Sequence, residues 1–195
     1  MNMISGIYFP DEGQIFIDGK EVVIHSPRDA FKYKIGMIHQ HFKLVDILTV
    51  TENVILGLKD EGKLNIKKSA QKIKEICDMY GFNIDPMKKI YEMSVSEKQT
   101  VEIIKVIYRG AQILILDEPT TGLDPNQLVE IRELIRKVGQ TKTILLSTHI
   151  MQEVEAVCSR VIIINNGKLV ADDETKHLAS GENLEQIFRQ ITLGK

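Results

Sequence analysis

Along the 195 residues, short apolar runs rich in Ile and Val alternate with longer stretches in which apolar residues recur every three or four positions. The short runs predict strands and the 3.6-residue period predicts helices. Their alternation predicts an α/β fold, a parallel sheet covered by helices. The clearest run, Ile113-Leu114-Ile115-Leu116, is apolar at every position, which predicts a strand buried on both faces. Thr143 to Leu146 and Val161 to Ile164 repeat that pattern and are expected to behave alike. Between the first two runs, Leu128, Ile131, Leu134, Ile135 and Val138 fall at helical spacing, behind Asp124 as N-cap and Pro125 at the first helical position. Ile150 to Val157 predicts a short helix before the third run.

The front of the chain reads differently. Gly13 to Ile17, Asp18-Gly19 and Val22 to Ile24 predict an antiparallel β-hairpin with a type I′ turn, because Asp-Gly tolerates the positive φ that this turn requires. Ile35 to His39 predicts a further strand. From Val50 to about Ile107 the period is helical almost throughout, with breaks expected at 57–62, 81–86 and 93–96. A helical insert at about 48–108 is therefore expected between two parts of the sheet.

A composition of 43% hydrophobic and 27% charged residues is that of a globular domain. The net charge of -2 gives no electrostatic reason to expect nucleic acid as a partner. Two cysteines far apart, Cys77 and Cys158, suggest neither a disulfide framework nor a zinc site. No apolar run approaches the ~20 residues that cross a bilayer as a helix, so any work at a membrane is expected to pass through a docked partner.

Asp117 and Glu118 close the apolar strand, where parallel sheets bind ligands. There one acid can hold Mg²⁺ while its neighbour orients a water, or the pair can simply start a turn. His149 also follows a strand, and a cap by Ser147 or Thr148 would account for that segment without it. Gln40 follows the strand ending at His39 and, taken singly, is an ordinary surface residue. Ser94-Val95-Ser96-Glu97 opens a helix whose free N–H groups make a possible phosphate seat, although a capped helix also explains them. A cap before Pro125 explains Asp124 just as fully.

The order of these pieces resembles the ATP-binding cassettes of ABC transporters. Gln40, then the helical insert, then Met93-Ser94-Val95-Ser96-Glu97-Lys98-Gln99, then Ile113 to Pro119, then Thr121-Gly122-Leu123-Asp124, then Ser147-Thr148-His149 are similar to that family's Q-loop, signature, Walker B, D-loop and switch histidine. The resemblance implies a P-loop NTPase-like parallel core with an antiparallel hairpin and a helical subdomain between Q-loop and Walker B, with residues 1–195 forming a single incomplete cassette. It implies ATP and Mg²⁺ as ligands. Glu118 would polarise the attacking water, Asp117 and Gln40 would hold or sense Mg²⁺, and His149 would contact the γ-phosphate. Ser94, Val95, Ser96 and Glu97 would close the site of a second cassette, and Asp124 would lie at that dimer interface.

Two departures accompany the resemblance. No G-x-x-x-x-G-K-[ST] phosphate loop occurs in the chain. Because Met1 to Gly6 matches the rest of the helix that follows this loop in the family, the loop is expected immediately before Met1, and the chain as it stands is expected not to hydrolyse ATP. In the signature, Ser96 replaces the usual second glycine and Glu97 the usual glutamine, which places a negative charge where phosphate should approach. Gly13 to Pro119 resembles nucleoside and simple-sugar importer cassettes, while Thr120 onward looks more like gliding-motility and drug-export cassettes. The function implied is the ATP-binding and hydrolysing subunit of an ABC transporter for nucleoside or simple-sugar import. The alternatives are a hydrolysis-incompetent module that pairs with a complete cassette, or a cassette of an export or gliding-motility system. The implied partners are a transmembrane permease and a second cassette, and the implied place is the cytoplasmic face of the cell membrane.

Overall fold

The computed structural model describes residues 1–58, 65–178, 185, 186, 188 and 189, which form two compact units, Met1–Ser147 and Thr148–Lys195. In the first unit, β1 (Ile15–Ile17) and β2 (Lys20–Val22) pair antiparallel around Asp18 and Gly19, whose φ values of 51° and 74° are those of the expected I′ turn. Helix α1 (Pro27–Lys32) follows, capped by Ser26, and leads into β3 (Ile35–Ile38). Helix α2 (Val50–Ile55) starts on a Thr49–Glu52 capping box, and α3 (Ile66–Tyr80) runs from the Asn65 cap to Gly81 in the left-handed conformation. A 3-10 turn at Ile90–Glu92 precedes α4 (Val95–Tyr108). Then come β4 (Ile113–Asp117), α5 (Pro125–Gly139, with Asp124 as N-cap) and β5 (Thr143–Ser147). The expected break at 57–62 falls partly on residues 59–64, which lie outside the described residues.

Strands β3, β4 and β5 form a parallel sheet in that order, as the fold class required. Parallel neighbours need long crossovers, and the helical insert and α5 supply them. Leu114, Ile115 and Leu116 are buried, as expected for the central strand. On one face Ile115 and Ile35 join Ile24 and Ala30, with Ile15, Ile17 and Val22 of the hairpin packed over them. On the other, α4 lies so close to β3 that a Cβ at Gly36 would stand 3.0 Å from the Cβ of Val106 and 3.2 Å from that of Ala111.

Met1–Ile7 closes in the hydrogen-bond pattern of a helix C-terminus. Ile7 N–H donates to Asn2 C=O at 2.9 Å and Gly6 N–H to Met3 C=O at 3.1 Å, with Gly6 at φ 75°.

The second unit holds α6 (Met151–Val157), β6 (Arg160–Asn165), β7 (Lys168–Glu174) and α7 (Thr175–Leu178). Its core joins Met151 and Val154 to Val161 and Ile163. The expectation that Val161 to Ile164 repeats the doubly buried parallel strand is corrected here. The segment pairs antiparallel with β7, and Ile162 and Ile164 are exposed while Val161 and Ile163 are buried. The cause is local: Asn166-Gly167, at φ 48° and 74°, makes a two-residue I′ turn that gives β6 its nearest neighbour in sequence as partner.

Candidate functional site

Parallel pairing in register sets the site. Ile38 stands opposite Leu116, so Gln40 and Glu118 each leave their strand two residues beyond a paired position, at the carboxyl edge of the sheet. There the Gln40 Nε2 donates to Glu118 Oε2 at 3.4 Å. Asp117 is still in the ladder, opposite Ser147, and Glu118 N–H donates to Ser147 C=O at 2.9 Å. Glu118 has φ 46°, a left-handed backbone that is costly for a residue with a Cβ and that recurs at functional sites. The Thr121 hydroxyl donates to the same Glu118 Oε2 at 3.2 Å. Nothing in the sequence singles out Thr121 beyond its motif, because its contact with Glu118 depends on the turn closed by the Thr121 N–H to Glu118 C=O bond at 3.3 Å.

The loop after Gln40 is pinned by two buried polar side chains that sequence reasoning missed. Glu102, buried in α4, accepts the Lys43 N–H at 2.7 Å and the Lys105 ammonium at 2.8 Å, and that ammonium also donates to Lys43 C=O at 3.2 Å. Asn53, buried in α2, accepts the Val45 N–H at 2.7 Å and donates to Val45 C=O and Thr49 C=O. A charged residue about two turns along the amphipathic α4 was the only signal for Glu102, and it does not separate a surface acid from a buried one. His39, beside this loop, has its pKa lowered, chiefly by burial and then by the nearby Lys43 charge, so its imidazole is neutral at pH 7.

Asp117 and Gln40 offer hard oxygen donors at neighbouring strand ends, a donor type suited to Mg²⁺. His149 belongs to the second unit, at an exposed position before α6. The N-cap of α6 is Ile150 and no side chain caps the helix, so the expected cap by Ser147 or Thr148 is corrected; the Thr148 hydroxyl instead accepts the Ile150 N–H at 3.1 Å and donates to buried Glu153 at 2.8 Å. Asp124 caps α5 through the Asn126 and Gln127 N–H groups at 2.9 and 3.0 Å.

Ser94 is exposed and caps α4, accepting the Glu97 N–H at 3.2 Å. Glu97 closes the reciprocal half of the capping box and also binds Lys88. Val95 is exposed and Ser96 buried, its hydroxyl 3.1 Å from that of Ser94. Ser94, Ser96 and Glu97 edge a cavity of about 500 Å³, whose far wall is Gln127, Glu130 and Lys137 of α5.

With this geometry in place, the comparisons with known proteins are direct. Residues 1–121 match the family described as ABC transporter, and the chain belongs to that family. The nucleoside import ATP-binding protein NupA of Lactococcus lactis subsp. cremoris is 39% identical over all of this chain, which spans 38% of that relative. The guanosine import ATP-binding protein NupO of Bacillus subtilis is 43% identical over 86% of this chain and 34% of its own length. The chain thus spans little more than a third of these curated relatives. Among solved structures, cbiO1 from Clostridium perfringens, part of the ABC transporter complex cbiONQ, superposes with a TM-score of 0.78 at 25% identity, covering 96% of this chain and 76% of that one. An ATP-binding cassette of an ABC transporter in its ADP conformation superposes with a TM-score of 0.81 over 100% of this chain and 82% of that one, at 20% identity, which is a likeness of fold.

Proposed function

We propose that the chain is the ATP-binding and hydrolysing part of an ABC transporter that imports a nucleoside or a simple sugar, with a helical subdomain at about 48–108. The observation that carries this reading is the Gln40–Glu118 contact at the carboxyl edge of the sheet, supported by the nucleoside and guanosine import functions of the relatives NupA and NupO. In this reading Glu118 orients and polarises the attacking water, its carboxylate held by hydrogen bonds from Thr121 and Gln40. Asp117 and Gln40 would hold Mg²⁺, which when bound would offset the charge of the phosphates. Ser94, Val95, Ser96 and Glu97 face the nucleotide of a second cassette, Asp124 lies at that interface, and His149 contacts the γ-phosphate. Among the described residues no helix is long and apolar enough to cross a membrane, so the proposed link to the membrane is a permease docked at its cytoplasmic face.

The test joins a phosphate loop to the front of Met1 and measures ATP turnover and ATP binding. Glu118→Gln is expected to lower turnover at least about a hundredfold while ATP stays bound, since an amide keeps the hydrogen bonds but cannot act as a base. Turnover unchanged by Glu118→Gln would remove the central residue from the reading.

A further inference from the structure

The start of α4 carries an anion of its own. Glu97 turns back so that Oε2 accepts the Ser94 N–H at 2.7 Å, while Oε1 accepts the Lys88 ammonium at 2.7 Å. The Glu97 N–H is taken by Ser94 Oγ. The Val95 and Ser96 N–H groups are left without an acceptor among the described residues, at the positive end of a 14-residue helix. Lys88 reaches this point because its backbone is fixed: its N–H donates to Asp85 C=O at 3.1 Å and its C=O accepts the Val50 N–H at 3.0 Å. Neighbouring bonds from Thr51 N–H to Pro86 C=O and from Ile90 N–H to Leu48 C=O lay the two segments side by side. Burial alone would raise the Glu97 pKa, but the hydrogen bonds from Lys88 and from Ser94 N–H outweigh it and lower it. The Glu97 carboxylate is therefore charged at neutral pH, and the Lys88 and Glu97 side chains are 30% and 29% exposed.

Resting on the reading above, in which this helix start faces the phosphates bound by a second cassette, we propose that Lys88 is a positioning residue of that contact. It holds Glu97 in the capping box and cancels its charge, so that Val95 and Ser96 N–H still attract phosphate despite a carboxylate in the signature. The pair makes the site tunable in both directions. Loss of Lys88 leaves a bare carboxylate that repels an incoming anion, whereas loss of the Glu97 charge leaves a bare ammonium that attracts one. A substitution that merely loosened the structure would weaken binding whichever partner it removed.

Amide shifts of residues 94–98 in the ¹⁵N-labelled 195-residue protein, titrated with inorganic pyrophosphate at low salt, test this. Glu97→Gln is expected to tighten pyrophosphate binding about two- to fivefold and Lys88→Met to weaken it by a similar factor, the range for a charge at a helix end. The double variant Lys88→Met/Glu97→Gln should return near the starting protein, and raised salt should shrink every difference. Should Lys88→Met lose the native amide spectrum, Lys88→Gln takes its place with the same expected sign. Shifts of the same sign for both single variants, or no gain on Glu97→Gln, including no binding by any form, overturn the proposal. Pyrophosphate reports on the helix start alone. The opposite-sign response together with no ATP-dependent dimer, by itself or with a second cassette, in the protein carrying a phosphate loop before Met1 would instead overturn the two-cassette reading and leave only the charge balance of the pair standing.

Discussion

Removing the Glu102 carboxylate should unfasten the loop that presents Gln40. Glu102 is 5% exposed and satisfies two groups at once, the Lys43 N–H at 2.7 Å and the Lys105 ammonium at 2.8 Å. Glu102→Ala strands both, and breaking one side of a buried pair costs about 3 to 5 kcal/mol. The lower figure applies here, because the Lys105 side chain is 15% exposed and keeps Lys43 C=O as acceptor at 3.2 Å. Glu102→Gln keeps an acceptor for the Lys43 N–H and gives up only the charge, so it should cost about 1 to 2 kcal/mol, the difference between a charged and a neutral hydrogen bond. Urea unfolding of the first unit measures the loss, and hydrogen exchange at the Lys43 and Val45 amides locates it. Both amides should lose protection in Glu102→Ala, and Val45 less than Lys43, because Asn53 holds it separately. A cost for Glu102→Ala below about 1 kcal/mol, or unchanged exchange at Lys43, would refute the account, since a solvated surface pair behaves that way.

Two further outcomes are expected. Gly36→Ala should cost about 1 to 3 kcal/mol by overpacking β3 against α4, because the added Cβ would meet Val106 Cβ at 3.0 Å and Ala111 Cβ at 3.2 Å; a Gly36→Ala that leaves thermal unfolding unchanged would contradict the close approach. Cys77 has its pKa pushed up to about 11 by burial, with the Asp78 charge adding to it, so in a Cys158→Ser protein roughly one thiol in a thousand is ionised at pH 8, and a thiol reagent should label it only on unfolding; rapid labelling of the folded form would show the thiol to be open.

What the sequence by itself determined is everything that local chemistry controls. Asp18-Gly19 had to turn, Asp124-Pro125 had to start a helix, and Ile113 to Leu116 had to be a central strand, because each rests on backbone preference or on burial of adjacent residues. The order of motifs was likewise legible, since order is a property of the chain alone. The second half of the chain shows where that information stopped. Val161 to Ile164 is as wholly aliphatic as Ile113 to Leu116, yet the former alternates in a hairpin and the latter lies between two parallel neighbours, because burial depends on which strand arrives beside it. The site itself divides in the same way. Gln40 and Glu118 were found as types at strand ends, but their meeting is fixed by the Ile38–Leu116 register across 78 residues of sequence. That Glu102 is buried beneath the Gln40 loop, and that Lys88 reaches Glu97, was decided only by packing of α2 and α4 around segments distant in the chain, where a charge read from sequence carries no sign of what will stand opposite it.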